Sequence, residues 1–144
     1  MGGKKKEMKD MAVERQEALN AGWKALTSLN DLKAELDSAS NWGILDMFGG
    51  KTFTTFVKYS KLNNASQLAL KASLDLQDFQ REAKDVFPLT DLQCQVGGLL
   101  AYMDFFHDSF FVDLLVQSRI NEARDKVDEA INTVTRLIDA LESQ

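Results

Sequence analysis

The chain has 144 residues, of which 44% are hydrophobic and 27% charged, a balance typical of one soluble globular domain with its own core. The formal net charge of −5 disfavours general binding to nucleic acid or to an anionic membrane surface. One cysteine, Cys94, and one histidine, His107, exclude a disulfide within the chain and leave too few ligands for a Cys/His zinc site. We therefore expect a single domain over residues 1–144, no cofactor, and a cytoplasmic location.

Apolar residues recur at spacings of three and four through most of the chain, and the alternation expected of strands is absent. We predict an all-α fold: an elongated antiparallel bundle of three long helices with coiled-coil-like seams, at residues 5–39, 51–87 and 99–142. Asn41 and Gly43 favour the end of the first helix. Its predicted core face carries Leu19, Trp23, Leu26, Leu29 and Leu36.

The second and third predicted helices carry apolar side chains in a seven-residue repeat. The repeat of the second helix consists of Ala65, Ala69, Ala72, Leu76, Phe79, Ala83 and Val86. That of the third helix consists of Val116, Ile120, Ala123, Val127, Ala130, Val134, Leu137 and Leu141. The second helix is expected to end at Phe87, because Pro88 disfavours helical geometry in the residue before it. A back-and-forth order of the helices predicts that the third helix ends beside the turn at Trp42.

The segment NWGILDMFGGKT, residues 41–52, has the composition of a phosphate-binding loop without its spacing. Counted from Gly43, the second glycine and the lysine of a P-loop would fall on Phe48 and Gly49. We interpret the segment as an apolar end of the bundle followed by a glycine turn. The alternative is an anion site at the start of the second helix, formed by free backbone N–H groups and by Gly49, Gly50, Lys51, Thr52, Lys58 and Lys61.

Two runs, SNWGILDMFGGKTFTTFVKYSKLNNA and MDFFHDSFFVDLLVQSRI, resemble segments of a group of bacterial helical proteins to which no activity is assigned. That group carries a W-G-x-x-D segment followed by glycines, and an F-F-D-x-x-F-V-D segment followed by V-Q-S-[RK]-I. The sequence departs from this pattern at Lys51, Tyr59 and His107, where glycine, histidine and phenylalanine are usual. The resemblance implies a helical, coiled-coil-like fold and names no chemistry.

Acidic residues near the single histidine form a candidate metal group. Asp104, His107 and Asp108 share one helix face at the spacing found in di-iron helical bundles, but one histidine is too few for such a site. We therefore expect no metal and no catalytic group. Asp113 falls on an apolar helix face at the level of Lys71, which predicts a buried Asp113–Lys71 ion pair, with two solvated faces as the alternative.

The most apolar stretch, Leu99–Val116, is as long as a short membrane span, but it contains three aspartates and is not expected to cross a bilayer. Its phenylalanines point in different directions around a helix, so it must be covered on nearly every side. We predict that Phe111 and Leu115, beside Asp108, contact a second copy of the chain or a helical partner. Burial within one chain is the alternative.

Long heptad seams without a catalytic constellation favour a non-enzymatic helical interaction or scaffold protein. The alternative function is binding of a small anionic ligand at the helix entry formed by Gly49–Lys61. An enzyme would have to rely on the Asp104, His107 and Asp108 group alone.

Overall fold

The computed structural model describes residues 2–46, 51–86, 97–98, 100–101 and 117–143, with side chains over 10–41, 63–86, 97–98, 100–101 and 120–143. The described residues contain no strand and form three long helices, which are α1 (Gly2–Asp46), α2 (Lys51–Ala83) and α3 (Gln117–Glu142). The prediction of an all-α fold is confirmed. Helix α1 packs against both α2 and α3, as in a three-helix bundle.

The predicted end of α1 is wrong, because the helix continues through Asn41 and Gly43 to Asp46. A glycine inside a helix costs about 1 kcal/mol relative to alanine, so the sequence signal was real. Tertiary contacts just before it favour the helix: Ala39 is fully buried, and Arg124 of α3 donates a hydrogen bond to Ser40. Helix α2 ends earlier than predicted, at Ala83, and is followed by a turn over residues 84–86.

Contacts along α1 define the directions of the other two helices. Ser28 of α1 contacts Asp75 of α2, whereas Gly22, nearer the start of α1, faces Phe79, which lies later in α2. Helix α2 therefore runs opposite to α1.

The same argument gives the direction of α3. Ser40, near the end of α1, contacts Arg124, and Gly22 faces Ile138, which lies later in α3. Helix α3 therefore also runs opposite to α1 and in the same direction as α2. The back-and-forth order that ended the third helix beside Trp42 is wrong, since α3 begins, rather than ends, near the carboxyl end of α1.

The core lies along the seams of the three helices. The predicted seam positions of α2 and α3 are buried wherever their side chains are described, with one exception, Val86, which is half-buried. Val116 lies outside the described residues. The core face of α1 differs from the prediction, because Trp23 is 50% exposed and Leu19 and Leu26 are only partly buried. The residues that do line the core on α1 are Ala18, Gly22, Ala25, Leu29, Leu32, Leu36 and Ala39.

The small residues on this face explain the difference. A Cβ atom on Gly22 would lie 3.1 Å from Phe79 Cε1 and 2.9 Å from Ile138 Cγ1, so α2 and α3 both approach α1 closely there. Leu29 and Leu36 are buried as predicted. In the first half of α1 the large apolar side chains point to the neighbouring face with Trp23, whereas close packing selects the face with Ala18, Gly22 and Ala25.

No helix, over the residues that the structure describes, is both long and apolar enough to cross a membrane. The apolar stretch Leu99–Val116 lies almost wholly outside those residues.

Candidate functional site

A polar group lies inside the α1–α2 interface and is here named the Asp75 cluster: Lys24, Ser28, Lys71 and Asp75. Ser28 is fully buried, and the side chain of Asp75 is 6% exposed. The Ser28 hydroxyl donates a hydrogen bond to Asp75 Oδ2. Lys71 Nζ donates to Ser28 Oγ at 2.8 Å and to Asp75 Oδ2 at 2.9 Å, while Lys24 Nζ lies 3.7 Å from Asp75 Oδ1. The buried carboxylate is thus paired on both of its oxygens, as a buried charge requires.

The environment keeps Asp75 ionised at neutral pH. Burial by itself raises the pKa of the Asp75 carboxyl. Hydrogen bonds from Ser28 and Lys71 and the positive charges of Lys71 and Lys24 outweigh this effect, so the pKa lies below its ordinary value. The cluster therefore stabilises the folded chain when the carboxyl is charged.

The Asp75 cluster contains a serine, a lysine and an acid, which are the groups of a nucleophilic site. Nucleophilic catalysis requires that a substrate atom reach the serine oxygen, and Ser28 has no exposed surface. Its hydroxyl also donates a hydrogen bond to the carboxylate of Asp75, whose pKa is lowered. The arrangement holds two helices together and is not open to a substrate.

A second charged group, here named the acidic group, lies where α1 meets the carboxyl end of α2. Carboxylate oxygens of Glu14, Glu17 and Glu82 lie within 4.8 Å of one another. Desolvation, followed by the negative charges of Glu17, Asp85 and Glu82, raises the pKa of Glu14. Three carboxylates at this spacing are able to bind a cation, but exposed acidic residues are common without one, so we assign no metal to them.

Two ion pairs join α1 to α3. Lys33 Nζ lies 2.5 Å from Asp128 Oδ1, and Arg124 Nε lies 2.7 Å from Asp37 Oδ1. Each helix supplies one cation and one anion, so the pairs are reciprocal. The four side chains are roughly 40% exposed, and exposed pairs contribute little stability. Their main effect is to favour this alignment of α3 on α1.

Large apolar side chains on the outer surface form the fourth feature. Leu70 and Leu74 are 42% and 52% exposed, and they lie one turn apart on the side of α2 opposite its seam. Trp23 on α1 is 50% exposed. Met11 and Val13, near the beginning of α1, are 71% and 53% exposed.

The predicted anion site is only partly within the described residues. Helix α2 begins at Lys51 with no acidic residue in its first turn, so no side chain of that turn neutralises the positive end of the helix dipole. The backbone of Thr52, Lys58 and Lys61 belongs to α2, but their side chains lie outside the described part of the chain. Gly49 and Gly50 lie outside it altogether.

The predicted interface and ion pair involve residues that the structure does not describe, which are Asp108, Phe111, Asp113 and Leu115. Cys94 and the Asp104 and His107 of the rejected metal group also lie outside the described residues. Lys71, the expected partner of Asp113, is described: its side chain is 53% exposed and bonds to Asp75 on its own helix and to Ser28 on α1.

Neither Ser28 nor Asp75 is among the site residues predicted from the sequence. Each is a polar residue immediately beside a seam position, Ser28 before Leu29 and Asp75 before Leu76. A polar residue beside a seam position is a candidate for contact with the neighbouring helix. Lys24 and Asp31 also precede seam positions and are exposed, so this placement alone does not single out Ser28 or Asp75. Their contact also required the register of the two helices.

Comparisons of the chain with protein-family models, curated proteins and solved structures gave no match. The contacts and exposed surfaces described above are therefore the observations that bear on function.

Proposed function

We propose that the protein is a non-enzymatic helical interaction or scaffold protein that binds a second copy of itself or another helical protein. The observation that carries the proposal is the pair Leu70 and Leu74, both exposed on the outer side of α2. Single exposed apolar residues are common, but two at i, i+4 spacing form a strip of the kind with which amphipathic helices recognise each other. Trp23, half exposed on α1, adds an aromatic side chain of the type enriched at binding hot spots.

Further features support the same proposal. In the Asp75 cluster, which has the residue types of a catalytic site, the serine and the aspartate are buried between two helices, and only the lysines reach the surface. The heptad spacing of the seams is typical of coiled-coil-like proteins, which commonly self-associate. A single cysteine and an acidic composition support a cytoplasmic location, and the resemblance noted above supports a bacterial source.

Self-association is tested by size-exclusion chromatography with light scattering over a range of protein concentrations. We expect a dimer for the wild type and a folded monomer for Leu70→Gln/Leu74→Gln. The matched control is Gln67→Ala/Gln77→Ala, at exposed positions of the same helix, which should remain dimeric. A wild type that stays monomeric at the highest concentration would exclude the homodimer.

The contact predicted at Phe111 and Leu115 is tested in the same way. Phe111→Glu/Leu115→Glu should convert a dimer to a folded monomer if this contact joins two copies. Circular dichroism separates this result from unfolding, which would favour burial of the two side chains within one chain.

A helical partner other than a second copy is tested by affinity capture with matched baits. A protein retained by the wild type and by Gln67→Ala/Gln77→Ala, but lost with Leu70→Gln/Leu74→Gln, would support binding through the outer side of α2. Equal retention by all three baits would contradict it.

Binding of a small anionic ligand is the second candidate function, and the start of α2 at Lys51 without a first-turn acid favours it. A thermal-shift screen with phosphate, nucleotides and divalent metals tests this function. A saturable rise in melting temperature that Lys51→Ala abolishes, without changing the ligand-free melting temperature, would establish an anion site. A flat response to every compound would exclude one.

A further inference from the structure

The apolar seams of α1 and α2 do not by themselves define a single alignment. Both seams repeat every seven residues, at 18, 22, 25, 29, 32, 36 and 39 in α1 and at 65, 69, 72, 76, 79 and 83 in α2. A slip of one helix along the other by seven residues, about 10 Å, places seam against seam again. Other contacts must distinguish the observed register from the slipped ones.

The surroundings of Asp75 differ sharply between these alignments. In the observed register Asp75 faces Lys24 and Ser28, which supply a positive charge and a hydroxyl donor. After a slip of seven residues toward the carboxyl end of α1, those two positions are Asp31 and Glu35. The buried carboxylate would then face two like charges.

The opposite slip is also unfavourable. Asp75 would then face Glu17 and Ala21. Glu17 repels a carboxylate, and Ala21 has no side-chain hydrogen-bond donor. Asp75 would keep Lys71, which lies on its own helix, and would lose its partners on α1. A buried charge with fewer partners is less well compensated for its burial. Both neighbouring alignments are therefore penalised at the same side chain.

We propose that the Asp75 cluster is the contact that determines the register of α1 against α2. Only the observed alignment gives the Asp75 carboxylate its hydrogen bond from Ser28 and its pairing with Lys24. Buried polar residues have this role in coiled coils, where they reduce stability and specify one alignment. The packing of Phe79 against Gly22 favours the same register, so the test leaves both of those residues unchanged.

The test removes the polar contact and measures the register. Ser28→Ala/Asp75→Leu makes the interface apolar at the cluster. Alignment is read from disulfide cross-links between introduced cysteines in a Cys94→Ser background. Glu17→Cys/Glu82→Cys reports the observed register, because these two carboxylates lie within 4.8 Å of each other in the native structure.

Two further cysteine pairs report the slipped registers. Lys24→Cys/Glu82→Cys should cross-link after a slip toward the carboxyl end of α1, and Asp10→Cys/Glu82→Cys after the opposite slip. With an intact Asp75 cluster we expect the native cross-link and neither slipped one. Since Lys24 belongs to the cluster, the Asp10 pair is the better control in the wild-type background.

In Ser28→Ala/Asp75→Leu we expect loss of most of the native cross-link and the appearance of a slipped one, with helix content unchanged by circular dichroism. Asp75→Asn keeps the size of the side chain and removes its charge, so it should fold and give a smaller amount of slipped product. Native cross-linking alone, in either variant once folded, would overturn the proposal. The register would then be determined by other features, such as the packing of Phe79 or the four-residue connection between α1 and α2.

Discussion

Replacing Gly22 by alanine tests a close approach among the three helices. The added Cβ atom would lie 2.9 Å from Ile138 Cγ1 and 3.1 Å from Phe79 Cε1, which is closer than carbon atoms normally pack. Phe79 is fully buried and Ile138 is 1% exposed, so neither side chain has open space into which it can move. The new methyl group would overfill the point where α1 meets α2 and α3.

Two opposing terms decide the magnitude. Overpacking a core costs about 1–3 kcal/mol. Against this, glycine to alanine inside a helix gains about 1 kcal/mol of helix propensity. We therefore expect Gly22→Ala to lower the free energy of unfolding by about 1 kcal/mol, and Gly22→Val to lower it further.

Gly98 offers a matched control, since it is also helical and a Cβ atom there meets no described residue within 4 Å. Gly98→Ala should stabilise the protein by about 0.5–1 kcal/mol. Urea denaturation followed by circular dichroism measures both changes. Gly22→Ala should also cost less in an Ile138→Ala background, because the clashing side chain is then absent. A Gly22→Ala variant as stable as Gly98→Ala would refute the close packing described here.

Asp75→Asn should reduce the loss of stability at acidic pH. Because the folded-state pKa of Asp75 is lowered, the charged carboxyl stabilises the fold above its unfolded-state pKa, and this stabilisation is lost as pH falls through the folded-state pKa. Urea titrations at a series of pH values would contradict this if the wild type and the variant lost stability in parallel. Glu14→Gln should stabilise the protein at neutral pH. The pKa of Glu14 is raised in the folded state, so stability falls as pH rises past the unfolded-state pKa of this carboxyl. An unchanged melting temperature in low salt would be evidence against repulsion in the acidic group. Leu76→Ala and Phe79→Ala should each lower the free energy of unfolding by about 2–5 kcal/mol, and losses below about 0.5 kcal/mol for both would disprove the seam of α2.

Apolar spacing along the chain was enough to predict helices and the buried faces of α2 and α3. Ile120, Val127 and Val134 are buried where their seven-residue repeat placed them. The reason is local: the face of a helix on which a side chain lies depends only on its position in that helix, and an apolar face must be covered by something. Spacing does not say what covers the face or in which direction the covering helix runs. The direction of α3 was for that reason predicted wrongly.

The tertiary structure decided the core face of α1. Large side chains at Leu19, Trp23 and Leu26 suggested one face, while the helix packs through a neighbouring face that includes Gly22. Glycine contributes nothing to an apolar pattern. Gly22 is needed at this position because the side chains of Phe79 and Ile138, which belong to the other two helices, lie against it. The core face of α1 therefore depends on two side chains distant in sequence, and the apolar pattern of α1 alone cannot predict it.

The polar contacts depended on the tertiary structure for a related reason. The sequence singled out Lys71 as an ion-pairing residue, and the structure gives it Asp75 on its own helix and Ser28 on α1. Ser28 and Asp75 are 47 residues apart, and their side chains meet only when α1 and α2 are aligned in one register. Composition determines that a buried carboxylate must find a partner, whereas the alignment of the helices determines which partner it finds.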